Sequence, residues 1–422
     1  MRNVVRPYAW GSRTAIAELL GGPVPAPHPQ AELWLGAHPA DPSVLVHADG
    51  AQTSLLEALH ADPDRHLGTR CAQHWGKRLP FLLKVLAAEE PLSLQAHPSA
   101  EQAAEGFARE EARGVPRDAP ERNYPDASHK PELICALTEL HALVGFRDPV
   151  RTVELLAALD TPALEPYRAL LAAAPDAAGL RTLFTTWITL PQPAVETLLP
   201  LTLQACGALL RSGSGHGSDF RAVAAEVLAL AEAHPGDVGV LAALLLNHVV
   251  LGPGEALYLP AGNLHTYLRG TGVELMANSD NVLRGGLTAK HVDVPELLRV
   301  LDFSYGELLV QRGEPAGPQE IAYRTPAEEF RLTRLEWAQG EPTPVLLNSH
   351  WPQILLCTRG CAELRSRGGP NGGHSVTVRR GCSVWLAAAD PEVMVYPRSE
   401  PLQLFRAMPG LAAAHQGELS DL

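Results

Sequence analysis

Between about Arg147 and His248 the sequence is written in alanine and leucine at helical spacing, and on both sides of that stretch it runs in short alternating segments broken by glycine and proline. Such a chain has to fold as β structure interrupted by a block of helices, because a period near 3.6 and a period of 2 bury different faces. Within the block, Leu155, Leu156 and Leu159 form one stripe, and Val223, Val227 and Leu230 another. Pro175, Pro191 and Pro235 divide it into several helical units. The SGSGHGS run at 212–218 reads as a flexible connector. With 422 residues there is enough chain for more than one core. Three domains are expected: a discontinuous β domain at 1–147 and 249–321, an inserted helical domain at 148–248, and a second β domain at 322–422.

The flanks carry their own punctuation. Residues 1–50 hold short apolar runs suited to sheet edges, and Ser54–Arg78 reads as helical and then irregular. LPFLLKVL follows as the first strongly buried strand, and HVDVPELLRVLDF reads as one helix. From about Ala322 the runs FRLTRLEW, QILLCTRGCAEL, SVTVRRGCSVWLAAA and PLQLFRA, separated by Gly-rich turns, suggest a jelly roll or barrel. Beyond Gly410 the chain reads as frayed. The six cysteines are scattered, and Cys357 and Cys361 belong to an alternating strand, so neither a disulfide framework nor a cysteine metal site is implied. His60, His66 and His74 read as surface residues, and His38 reads first as a packed or solvated histidine, with a place in a pocket as the alternative.

A formal charge of −13 argues against nucleic-acid and anionic-membrane partners, which reward clustered Lys and Arg. The N-terminus lacks a signal-peptide pattern, and a cytoplasmic protein is expected. Lysine is scarce, yet Lys84, Lys130, Arg284 and Lys290 all fall in segments that also carry histidines and acids. An acidic protein can therefore own a basic pocket.

Three segments carry the chemistry. In YLPAGNLHTYL a strand, a Pro-Gly turn and a second strand place His265 and Tyr267 on one face. In PLSLQAHP, Ser93, Gln95 and His97 are spaced by two, so one strand face presents a hydroxyl, an amide oxygen and an imidazole. In SHKPELICAL, a polar loop carrying His129, Lys130 and Glu132 leads into an apolar run.

QAHP, SHKPE, PAGNLHTYL and NSDNVLRGGLTAK, in this order and with PYAWGS and AELWLGAHPADPS near the N-terminus, resemble the motifs of the type I mannose-6-phosphate isomerases. The resemblance spans essentially the whole chain. It implies a mainly β fold: a cupin-type jelly-roll catalytic domain, an inserted α-helical domain and a second jelly-roll-like domain. It further implies a monomeric enzyme that interconverts D-mannose 6-phosphate and D-fructose 6-phosphate through an enediolate, feeding GDP-mannose metabolism. Gln95, His97, Glu132 and His265 would hold one Zn2+; on donor type alone, two histidines and a carboxylate also suit non-haem iron. Arg284, Asp280, Lys130, His129 and Glu274 are the catalytic candidates, and Arg284 is expected to be essential. Lys84, Ser93, Tyr267 and Lys290 are the substrate-binding candidates. Asn263 and Thr266 depart from the family pattern, which has proline and alanine there. An iron-dependent cupin oxygenase and a non-catalytic sugar-phosphate-binding cupin are the competing readings.

Overall fold

The computed structural model describes residues 1–212, 218–338, 343–368 and 374–411. The expected connector and the C-terminal tail therefore lie, wholly or in large part, outside the described residues. The fold is mostly β sheet with helices. Its largest sheet contains β1 (Val4–Arg6), β2 (Glu32–Leu35), β5 (Phe81–Ala88), β6 (Leu94–Ala96), β7 (Glu132–Ala136), β8 (Leu140–Phe146), β9 (Leu246–Leu251), β10 (Ala256–Leu259), β11 (His265–Ala277) and β12 (Leu283–Gly286). A small hairpin, β3 (Val44–Val46) with β4 (Gln52–Ser54), stands apart.

The large sheet is organised by β11, thirteen residues long. Its first part pairs with β6 and β8, and its second part with β5 and β7. The strand thus belongs to two sheet halves at once: β12-β6-β11-β8-β9 and β1-β2-β5-β11-β7-β10. Between Tyr267 and Arg269 the register shifts, leaving Leu268 without a partner, and Gly270 follows with φ 113°. A side chain at Gly270 would meet the Glu139 carbonyl at 2.4 Å, so this position needs glycine. Bulge and glycine together bend the strand and switch which parity faces inward.

Between β8 and β9 the chain forms helices from Pro149 to Ala243, after which β9 pairs antiparallel with β8. The proline stops fall where the helices break: Pro175 follows the helix ending at Ala173, Pro191 precedes Gln192–Arg211, and Pro235 follows Arg221–Ala233. The helical reading ran too far, since Leu246–Leu251 is strand. The boundary expected at 249 therefore falls inside β9, where pairing to β8 outweighs the local Ala/Leu pattern. Gln192–Arg211 is long and apolar enough to cross a membrane by composition, but Val195, Leu198, Leu199, Cys206 and Leu209 are buried in the core of the helical block. Leu155 and Val227 share that core, which continues onto Leu94 and Leu143 of the sheet and onto Leu264 just before β11. Leu155→Ala is expected to cost about 2–5 kcal/mol of stability, measured by urea unfolding. A loss below about 1 kcal/mol would mean that the helices close around the gap.

The C-terminal strands make two sheets. One has the order β13-β14-β15-β22-β17-β20, with β13 (Glu314–Gly317), β14 (Glu320–Ala322), β15 (Arg331–Trp337), β17 (Gln353–Arg359), β20 (Ser383–Leu386) and β22 (Leu402–Met408). The other has the order β16-β21-β18-β19, with β16 (Val345–Leu347), β18 (Cys361–Ser366), β19 (Ser375–Arg379) and β21 (Val393–Pro397). Leu335, Trp337, Cys357 and Val395 are buried between them. The sheet starts before the boundary expected at 322, because the β13–β14 hairpin pairs onto β15. Phe330, Ile354 and Phe405 share a core with Leu83, Val85, Leu133 and Leu275 of the large sheet, so the C-terminal sheet backs the strands that carry the site. All six cysteines are free thiols.

Candidate metal centre and cavity

The bend in β11 turns the two sheet halves toward each other, and their facing sides line a cavity of about 610 Å³. From one half come Glu32 and Trp34 on β2, Lys84 on β5, Glu132 on β7 and Glu274 on β11. From the other come Gln95 on β6, Tyr267 on β11 and Arg284 on β12. Gln95 is the register partner of both His265 and Arg284, so these three stand in one cross-strand row.

At the floor, His97, Glu132 and His265 converge. His97 Nε2 lies 3.4 Å from Glu132 Oε1, and His265 Nε2 lies 3.5 Å from Glu132 Oε2. The three side chains are almost wholly buried. Both Nε2 atoms and Glu132 Oε2 lack a hydrogen-bond partner. Orphaned polar atoms in a dry interior are costly, and three aimed at one point are explained by a cation they would share. The ring orientations agree with this. His97 Nδ1 lies 2.8 Å from the Asn281 carbonyl and His265 Nδ1 lies 3.0 Å from the Asn263 carbonyl, so each Nδ1–H donates and each Nε2 keeps its lone pair outward. Burial and then the Lys130 charge push His97 down to about 4, which keeps it neutral as a ligand must be. Against the opposing effect of burial, the Lys130 charge holds the Glu132 carboxyl well below its usual range. Beyond β6, Ser99 and Gln102 form a reciprocal cap on helix Ala100–Ala112, which fixes where the chain leaves His97.

Glu132 is the first residue of β7 rather than part of a loop. Lys130 projects to the same side, with Nζ 3.3 Å from Glu132 Oε1. His129 points the other way and bonds Glu329 at 2.6 Å beside a separate small cavity, so its position does not support its place among the catalytic candidates. Adjacent residues of an extended segment face opposite sides, which is why Lys130 and His129 part. Lys84 is not a free cation at the rim. It is buried against Glu32 at 3.5 Å and Glu274 at 3.3 Å, and although burial opposes it, these two carboxylates hold its pKa above the ordinary value. Burial raises the Glu274 carboxyl despite Lys84. Burial, then Glu274 and Glu132, keep the Tyr267 phenol well above its usual value.

The open side of the cavity holds the groups still free to meet a ligand. Arg284 has no ion pair among the described residues, and Lys290 lies exposed on the same rim. Burial lowers both, with Arg284 adding to the effect at Lys290. Ser93 lines the wall. Asp280 is half open, and His38 Nε2 lies 3.2 Å from its Oδ1. The Ala40 N–H donates to His38 Nδ1, so Nε2–H is left to donate to Asp280. Burial works against ionisation of Asp280, but the hydrogen bond from His38 holds its pKa below the ordinary range.

The roles of five residues emerge only in three dimensions. His38 is a buried cavity residue rather than a generic packed one. His234, just past helix Arg221–Ala233, brings a buried, unpartnered Nε2 to the cavity from the helical block. Asp126 accepts from the Asp280 N–H and the Ser279 hydroxyl, and Asn281 donates to the Asp126 and Ser128 carbonyls, so this pair pins the loop that carries Asp280. Thr266, one of the two departures noted in the sequence, bonds the Leu92 carbonyl at 2.7 Å and ties the start of β11 to the segment before β6.

Comparison with known proteins agrees with this geometry. Residues 1–149 match the family model described as phosphomannose isomerase type I, catalytic domain. The mannose-6-phosphate isomerase of Escherichia coli strain K12 is 37% identical over 93% of this chain and 95% of its own length. A crystal structure of a single-residue variant of the Salmonella typhimurium phosphomannose isomerase superposes with TM-score 0.85 at 35% identity, covering 96% of this chain and 98% of that one. A zinc-bound mannose 6-phosphate isomerase superposes with TM-score 0.84 at 36% identity, covering 96% and 98%. With motifs, fold and the His–Glu–His centre in agreement across nearly its full length, the chain belongs to the type I mannose-6-phosphate isomerase family.

Proposed function

We propose that this chain is a metal-dependent aldose–ketose isomerase that interconverts D-mannose 6-phosphate and D-fructose 6-phosphate. The observation that carries the reading is the convergence of three buried, unpartnered donor atoms at the floor of a cavity whose rim holds uncommitted cations. His97, Glu132 and His265, with the Gln95 amide oxygen, suit zinc. When bound, zinc supplies Lewis acidity toward the sugar oxygens.

The chain's own residues do the rest. Lys290 and the Ser93 hydroxyl meet the phosphate at the mouth, with Lys290 acting as a point charge. Lys84, neutralised by Glu32 and Glu274, fixes the wall instead. Arg284 presents its guanidinium to the oxygens on which negative charge develops. Asp280 is the proton carrier. Among the acids of the cavity, Glu132 would hold the metal and Glu32 and Glu274 are spent on Lys84, whereas Asp280 is held ionised, partly open and oriented by His38. An oxygenase would leave the cationic rim without a purpose. The architecture follows the same reading: a cupin-type jelly roll built from the two halves sharing β11, a helical insert between the paired strands β8 and β9, and a jelly-roll-like C-terminal domain.

The direct test is a coupled assay for conversion of mannose 6-phosphate, run on protein whose zinc content is measured in the same sample. Folded, zinc-loaded protein without conversion would overturn the reading. The assignment of Asp280 makes a pH prediction. The base must be deprotonated, so the rate falls as pH drops through its pKa, and His38 lowers that pKa. His38→Asn is expected to move the acid limb of kcat/KM to higher pH while the alkaline plateau changes little. An unmoved acid limb would take Asp280 out of the proton transfer.

A further inference from the structure

A second group of metal-type donors lies away from the cavity, where the helical block meets the sheet. His141 on β8 and His248 on β9 are diagonal neighbours on one face, because His141 pairs with Val250 and Leu143 with His248. Glu226 reaches them from helix Arg221–Ala233. His141 Nδ1 is 3.3 Å from His248 Nε2, and Glu226 Oε1 is 3.5 Å from each. A tetrahedral zinc with bonds of ~2.0–2.1 Å holds its ligand atoms about 3.4 Å apart, which is the size of this triangle. The spacings at the His97–Glu132–His265 centre are 3.4 and 3.5 Å.

We propose that His141, Glu226 and His248 form a second binding site for a divalent transition-metal ion of the zinc class, clipping helix Arg221–Ala233 to the β8–β9 strand pair. The surroundings fit such a site. Glu139 accepts from His141 Nε2 at 2.9 Å, which leaves Nδ1 as the lone-pair atom and supplies the carboxylate–imidazole arrangement usual behind a metal ligand. Nδ1 is then contested: the His248 ring faces it, and Arg269 Nη2 donates to it at 2.9 Å. The same guanidinium holds Glu226 with two bonds of 2.8 Å. Arg269 therefore occupies the charge position that a metal would take. Its side chain is 47% exposed, against 8% for Glu226, so it can swing out while the three donors stay in place.

A purely structural role for Arg269 and a metal-competing role predict opposite results. Holoenzyme with its first site filled is titrated with zinc chloride against a chromophoric chelator, and metal is counted per chain. The wild type is expected to take a second equivalent, and His248→Ala is expected to stop at one while keeping full activity. Arg269→Gln is expected to tighten the second equivalent at least about tenfold, because a competing like charge is removed. Cobalt in the second site should give the visible absorption of a four-coordinate centre. Should His248→Ala fold poorly, His141→Gln makes the same test. A single equivalent in both the wild type and Arg269→Gln would overturn the proposal, as would two equivalents in His248→Ala, or weaker second binding in Arg269→Gln.

Discussion

Chelation of the metal is expected to lower kcat/KM by about 10³-fold or more, and stoichiometric zinc is expected to restore it. A Lewis acid contributes several kcal/mol of transition-state charge stabilisation, and each 1.36 kcal/mol is a factor of ten. Among the described residues nothing else at the cavity floor can replace that charge, since Lys130 is 3.3 Å from Glu132 and Lys84 is held by two carboxylates. His265→Ala should be folded, short of metal and beyond rescue by stoichiometric zinc, because it removes one of the two imidazoles of the His97–Glu132–His265 group. Metal loss should also lower the melting temperature, since an ion that binds only the folded state stabilises it by mass action. Metal-free protein with full turnover would end the metal-dependent reading. Retained metal in His265→Ala would move the centre away from β11.

Much of this site was legible in the sequence because strand spacing is a geometric statement. Spacing by two puts Gln95 with His97 and His265 with Tyr267 on common faces, and Gln95 pairs opposite His265, whose ring lies beside those of His97 and Tyr267. Parity could not carry past Leu268, however. Tyr267 and Glu274 are seven apart, and strict alternation would send them to opposite faces. The bulge and Gly270 change the parity, so both line the cavity. Spacing also says nothing of pairing partners. Lys84 looked like a phosphate cation until its register opposite Glu274 and Trp34 showed where its charge is spent. His38 could be named as a pocket residue but not preferred as one, because its partner, Asp280, lies 242 residues away. The helical block was plain from composition, but its end was not. Asn247 and His248 follow a run of leucines without a break, and only pairing to β8 makes them strand.

Arg284→Ala is expected to lower turnover by about 10²–10³-fold with metal content and fold unchanged, the range seen when a preorganised oxyanion donor is removed. Arg284→Lys should cost about tenfold or more, roughly 1.4 kcal/mol of transition-state stabilisation. Gln95 lies between His265 and Arg284 in one cross-strand row, so the guanidinium projects from the strand face that also carries two of the metal-binding candidates. No carboxylate claims it among the described residues, and burial alone lowers its pKa, as for a cation kept ready for a ligand. In the isomerisation, negative charge passes between oxygens on adjacent carbons. A planar fork with fixed donors can bond both oxygens, whereas an ammonium is a compact charge on a flexible stem. Charge alone would then be insufficient, and Arg284→Lys should lower kcat. If Arg284 only anchored the phosphate, the lysine variant would raise KM and leave kcat in place, because that interaction is equally strong in ground and transition states. Steady-state kinetics on the two variants, with zinc measured in each, separates these roles: an unchanged kcat in Arg284→Lys assigns the residue to binding, and a loss in kcat with intact metal assigns it to the chemistry.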